Sequence, residues 1–162
     1  MANAEENKLH LEYSSQRFAD RLFRRLPAWK QYLDYEERTE AGLLVRYLDI
    51  HVPSQNPKVP EPLNIVTMPH EVLVSWWGGW HVHFGPPLPG QEKEAYLQAA
   101  LDFLDRFTSD DYVVANYYRD GTPTGSGFGY ASGQQVPEKW FDSESGQVVL
   151  RSWLGGRDRE VN

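Results

Sequence analysis

Four residues of this chain have the types and spacing to attract chemistry. Asp49 and His51 lie two apart, and so do His81 and His83. Successive side chains of a β-strand alternate between faces, so each pair would project from one side of its strand. If the two strands were neighbours, three imidazoles and a carboxylate would converge, which is the donor set of a metal site without thiolates. An imidazole that titrates near neutrality also suits general acid–base work. The spacing is not a metal motif, however. Histidines alternating with Trp80, Val82 and Phe84 are just as expected on the wetter face of an antiparallel ribbon. The expectation is therefore of surface histidines, with no bound metal, no cofactor and no catalytic residue.

Other chemistry-bearing features give way to plainer readings. Ser75 and Ser152 both fall within strand-like sequence and lack the sharp strand-to-helix turn that exposes a nucleophilic hydroxyl. The run Gly125-Ser126-Gly127-Phe128-Gly129 leads into another strand-like stretch, not into a helix whose free N–H groups could hold phosphate. Glycines that thin an edge strand account for it better. The chain has six tryptophans and nine tyrosines, and Trp76, Trp77 and Trp80 crowd around one bend. Indoles on a rigid, solvent-facing ribbon are suited to anchoring a partner. These three are the expected binding residues, with Asp49, His81 and His83 as polar neighbours.

The elements that would position these residues follow from periodicity. Residues 1–12 read as a loose leader ahead of a domain spanning 13–162. Ser14 and Ser15 offer caps for an amphipathic helix carrying Phe18, Leu22, Phe23 and Leu26, which Pro27 ends. The charged stretch Asp34–Glu40 reads as a solvated connector. Leu44–Val52 alternates as a strand, the proline-rich segment Pro53–Pro62 is a loop, and Leu63–Met68 resumes strand character. Glu71–Trp77 and Trp80–Gly85 flank Gly78-Gly79 as a tight hairpin. Pairing Trp77 with Trp80 places Trp76, His81 and His83 on one face and Trp77, Trp80 and Phe84 on the other; a one-residue slip would exchange the faces of one strand. Glu92–Phe107 is the clearest helix. A second hairpin around Asp120-Gly121 and a strand at Gln147–Trp153 complete the pattern. The predicted fold is α+β: a mostly antiparallel sheet of six to seven strands with two main helices packed on one side.

Composition narrows the function classes. Sixteen basic and 23 acidic side chains leave a net charge of -7, which disfavours non-specific nucleic-acid binding. The absence of cysteine removes disulfides and thiolate metal sites. No run approaches the roughly 18 apolar residues of a membrane span, and the polar start carries no secretion signal. A cytoplasmic protein without membrane contact is expected.

Three segments together carry a resemblance. They are the strand ending His51-Val52-Pro53-Ser54, the block from Glu71-Val72-Leu73-Val74 to Trp80-His81-Val82-His83-Phe84, and the closing Arg151-Ser152-Trp153-Leu154-Gly155-Gly156. They resemble small uncharacterised bacterial proteins of the polymorphic-toxin immunity type, over roughly residues 42–158. The resemblance implies a non-enzymatic interaction protein that binds and neutralises a toxin domain, and it carries no catalytic residue onto this chain. An acidic surface with aromatic anchors would suit a basic toxin domain. The alternative is a small-molecule enzyme or binding protein built on Asp49, His51, His81 and His83.

Overall fold

The computed structural model describes residues 11–86, 92, 94–130 and 146–161. Helix α1 (Tyr13–Arg25) buries Ser15, Phe18, Ala19 and Leu22, the i, i+3, i+4, i+7 stripe of an amphipathic helix. Its cap is Glu12 and not Ser14 or Ser15: the Glu12 carboxylate accepts the N–H groups of Ser14 and Ser15 at 2.9 and 3.1 Å. A negative cap suits the positive end of the helix dipole, as Arg24 and Arg25 suit its other end. Residues 1–10 of the expected leader lie outside the described residues. Glu12 itself is docked, its N–H bonded to the Arg46 carbonyl at 2.7 Å. Pro27 opens a 3₁₀ helix (Pro27–Tyr32), where its missing N–H costs nothing.

The stretch expected to be a connector is strand β1 (Leu33–Glu40), paired along its whole length with β2 (Leu43–Val52). As the edge of a sheet it can carry charge on both faces. The charges are also matched: Glu37 meets Arg46 at 2.8 Å, and Glu40 accepts the Tyr47 hydroxyl at 2.7 Å. Strands β3 (Leu63–Met68), β4 (Glu71–Trp76) and β5 (Trp80–Phe84) continue an antiparallel meander in the order β1-β2-β3-β4-β5. Helix α2 (Ala95–Thr108) follows, and then β6 (Tyr112–Arg119), β7 (Thr122–Tyr130), β8 (Gly146–Arg151) and β9 (Arg159–Val161).

The α+β class and the two main helices agree with the sequence reading. The single sheet of six to seven strands does not. The last four strands form a separate sheet, β7-β6-β8-β9, so the described residues hold nine strands in two sheets. The separation follows from the order of elements: α2 ends at Thr108, and the chain returns to pack β6 against that helix instead of pairing with the edge of the first sheet.

Both helices lie on one face of the five-stranded sheet. Leu48, Ile50, Ile65, Val72, Val74 and Trp76 from the strands join Phe18 and Leu22 of α1 and Leu97, Leu101, Leu104 and Phe107 of α2 in one core. The buried Ser15 hydroxyl meets that of Thr67 at 2.6 Å, and Thr67 also accepts the Leu48 N–H at 2.9 Å, so the polar groups at the α1 contact are satisfied. On the second sheet Val114 faces this core, while Val113 and Ala115 form a smaller cluster with Val148 and Leu150.

The β4–β5 hairpin differs from the expected register. Trp76 pairs with Trp80, and the bend takes three residues, Trp77 to Gly79. Gly78 and Gly79 have φ of +67° and +76°, the left-handed region that favours glycine. Gly78 also lies tight against the Asn116 side chain on β6: a Cβ there would fall 1.8 Å from Asn116 Nδ2. Nothing lies within 4 Å of the corresponding position at Gly79. Both Gly78→Ala and Gly79→Ala should therefore lower stability, by about 1 kcal/mol for the backbone strain at Gly79 and by clearly more at Gly78. Urea unfolding of the two variants checks the order; equal losses would contradict the contact with Asn116.

Candidate functional site

The register at that bend decides what the five-stranded sheet shows to its surroundings. With Trp76 opposite Trp80 and Val74 opposite Val82, the apolar set of both strands faces the helices, and Leu73, Ser75, His81 and His83 share the opposite face. Trp76 and Trp80 are each 3% exposed. They are core residues, so the expectation of three solvent-facing indoles fails for two of them. Trp76 lies edge-on to Phe107 at 5.1 Å, and Trp80 stacks on Phe103 at 5.8 Å. Truncating either to alanine would cost about 3–5 kcal/mol, the range for large aromatic residues in cores. Trp77 alone is half-buried, and the Arg151 guanidinium lies over its ring at 5.6 Å. The sequence held the signal for this register: Val72, Val74 and Trp76 on one strand and Trp80, Val82 and Phe84 on the other form the more apolar set, and one register places all six on one side.

The helix-free face carries two rows of side chains across the strands. In one, His51, Asn64, Ser75 and His81 are successive cross-strand partners. In the next, Asp34, Asp49, Val66, Leu73 and His83 are. Asp49 Oδ1 stands 3.1 Å from His51 Nε2, and Asn64 Oδ1 lies 2.7 Å from His51 Nδ1. Asn64 Nδ2 in turn reaches the Ser75 hydroxyl at 3.5 Å. On the far strand the His81 Nδ1–H donates to the Gly79 carbonyl at 3.0 Å, and that of His83 donates to Glu71.

The predicted residues thus come together in two pairs and not in one group. Asp49 and His51 touch; the rings of His81 and His83 lie 5.2 Å apart. Strands β3 and β4 stand between the pairs, and three strand spacings amount to about 14 Å. Among the described residues there is no group of three or more His, Asp or Glu placed to hold a metal ion. Asn64, Ser75 and Glu71, which the sequence reading did not single out as partners of the histidines, complete both pairs. Only the neighbouring strands reveal them.

His51 is not presented as a base. Both of its ring nitrogens face oxygen acceptors, an arrangement fully satisfied only by the imidazolium. Burial opposes that charge, but the contacts His51 makes to the accepting oxygens of Asn64 and Asp49 and the charges of Asp49 and Asp34 outweigh it, leaving the pKa above its ordinary 6.5.

Ser152 is likewise excluded as a nucleophile, being fully buried. It sits in a hydrogen-bonded lock that joins the loop after β2 and the turn after α2 to the segment following β8. Asn56, in the loop after β2, donates to the Ser152 carbonyl at 2.8 Å and to Asp158 at 2.9 Å. Asp110 accepts from the Ser152 hydroxyl at 3.1 Å and from the N–H groups of Leu154 and Gly156 at 2.6 and 3.1 Å. Arg151 beside it binds Glu160 at 2.5 Å. These groups close the C-terminal loop onto the body of the protein.

A groove of about 540 Å³ opens elsewhere, between α1, the 3₁₀ helix and the start of β1, with Ala19, Phe23 and Leu33 beside Arg24 and Lys30. It contains none of the predicted site residues. Comparisons with protein-family models, with curated proteins and with solved structures find no match. No described helix is long and apolar enough to cross a membrane.

The His51 environment makes a pH-dependent contribution to stability. Because the folded-state pKa is raised, the stabilisation is complete below the unfolded value near 6.5 and is lost as pH rises through the folded value. In long-range ¹H–¹⁵N spectra His51 should titrate above 6.5, and Asp49→Asn should lower that midpoint. The stability difference between wild type and Asp49→Asn should also be larger at about pH 6 than at about pH 8; an unchanged midpoint would contradict the pairing.

Proposed function

We propose that this chain is a cytoplasmic, non-enzymatic binding protein of the immunity type, and that it offers the helix-free face of its five-stranded sheet to a basic toxin domain. The observation that carries this reading is the charge of that face. Between Arg38 at one end and Arg151 beside Trp77 at the other, its strand positions hold Asp34, Glu36, Asp49 and Glu71 and neither Lys nor Arg. Even with the His51 imidazolium set against these carboxylates the patch is negative, in a chain of net charge -7. Such a patch speeds encounter with a cationic partner and fixes its orientation.

The half-buried Val66, Met68 and Leu73 provide apolar area within this polar surround, the usual composition of a non-obligate interface. Trp77 is the one indole of the three still open to a partner, and its ring is held by Arg151 and by edge contact with Trp76 at 6.5 Å. A rigid aromatic at the rim of a charged face loses little entropy on binding. The commitment of both His51 nitrogens and the burial of Ser152 support binding over catalysis.

The test first asks whether a basic toxin domain is encoded beside this chain's gene, whose absence would refute the reading, and then uses that domain in purified form. Calorimetry should show 1:1 binding that weakens with salt. Asp49→Lys with Glu71→Lys should reduce affinity at least about tenfold, as expected for like charges placed in an interface. Arg24→Glu, in the distant groove, should leave it unchanged. Failure of wild type to bind, or full affinity in the double variant, would refute the reading.

A further inference from the structure

Independently of any protein partner, we infer that His81 and His83 form a two-imidazole site for a borderline divalent transition ion of the zinc, nickel and copper class. Both residues belong to β5, the edge strand of the sheet, and both are exposed. Two apart on a strand, they share a face.

Their tautomers are set by their neighbours. A backbone carbonyl and a carboxylate can only accept, so the contacts of His81 with the Gly79 carbonyl and of His83 with Glu71 place the proton on Nδ1 in both rings. The lone pair is then on Nε2 in each. Neither Nε2 has a hydrogen-bond partner among the described residues. Fixing one nitrogen of an imidazole through a carbonyl or carboxylate so that the other can bind metal is the outer-shell arrangement typical of histidine ligands.

The spacing fits as well. Two imidazoles bound through Nε2 at 2.0–2.1 Å in tetrahedral geometry place their ring centres about 5 Å apart. The His81 and His83 ring centres are 5.2 Å apart, with the planes at 83°. Imidazole nitrogen selects this class of ion over magnesium or calcium, which prefer all-oxygen surroundings. With two protein ligands, the remaining positions are open to water or to a donor from another molecule. His51 does not take part, because it lies three strands away and both of its nitrogens are occupied.

The experiment titrates the full chain with zinc chloride near neutral pH, followed by calorimetry and by ¹⁵N shifts of the histidine rings. One ion per chain is expected, with Nε2 of His81 and His83 shifting and the His51 ring unaffected. His81→Ala and His83→Ala should each weaken binding at least about tenfold. Glu71→Gln should weaken it by about tenfold, the lower end of the effect of removing an outer-shell partner, which a chance pair of surface histidines would not show. Copper(II) bound to wild type should give an electron paramagnetic resonance spectrum with two nitrogen ligands, reduced to one in either alanine variant. Because all three side chains are on the surface, unfolding midpoints close to wild type are expected and would confirm that losses are local. Zinc binding that persists in the His81→Ala, His83→Ala double variant, or that is indifferent to Glu71→Gln, would overturn the assignment.

Discussion

The packing of Trp76 and Trp80 against Phe103 and Phe107 is the contact on which the rest of the architecture depends. Trp76 and Trp80 come from the closing end of the five-stranded sheet and the two phenylalanines from α2, and the second sheet joins the same cluster. Tyr112 of β6 stacks on Phe103 at 5.2 Å, Phe128 of β7 meets Trp80 at 5.4 Å, and Trp153 lies 5.8 Å from Trp76. Large aromatic rings bury the most apolar area per residue and gain further from edge and offset-stacked contacts. A group of seven such rings therefore holds two sheets and a helix together although the sheets share no ladder.

This cluster also explains the outer face. Drawing both tryptophans inward requires the hairpin to bend over three residues, and the period of two along a strand then sends Leu73, Ser75, His81 and His83 outward together. The polar face and the apolar hub are consequences of one register. Gly78 makes that register attainable, since the bend passes so close to Asn116 that no side chain fits. The histidines are outside because the indoles are inside.

The ion pairs have a different role. Arg21 meets Glu94 at 2.7 Å and Arg25 meets Asp105 at 2.5 Å, bridging α1 and α2 across their exposed sides. Partly exposed pairs of this kind contribute little to stability, and their value is in orienting the helices. The lock around Ser152 is drier. There Asn56, Asp110 and Asp158 satisfy backbone groups of a turning segment that has no ladder of its own, which buried N–H and carbonyl groups require.

Much of the fold was legible in the chain. The stripes of α1 and α2, the alternation of β2 to β5, the turn at Asp120-Gly121 and the absence of thiol chemistry all follow from local spacing and composition. Strand β1 was hidden because its charges read as solvent-loving, and an edge strand paired by ion pairs carries no apolar period to detect. The second sheet was hidden because a list of strands does not say which of them pair. At the site, the sequence showed that Asp49 lies with His51 and His81 with His83, since two-residue spacing on a strand is a local property. It did not show that Asn64 and Glu71 complete those pairs, that two strands separate them, or which tryptophans meet water. Those outcomes depend on register and on packing between residues far apart in the chain, where a shift of one position reverses every side chain, and only the burial of the aromatic cluster decides between the two arrangements.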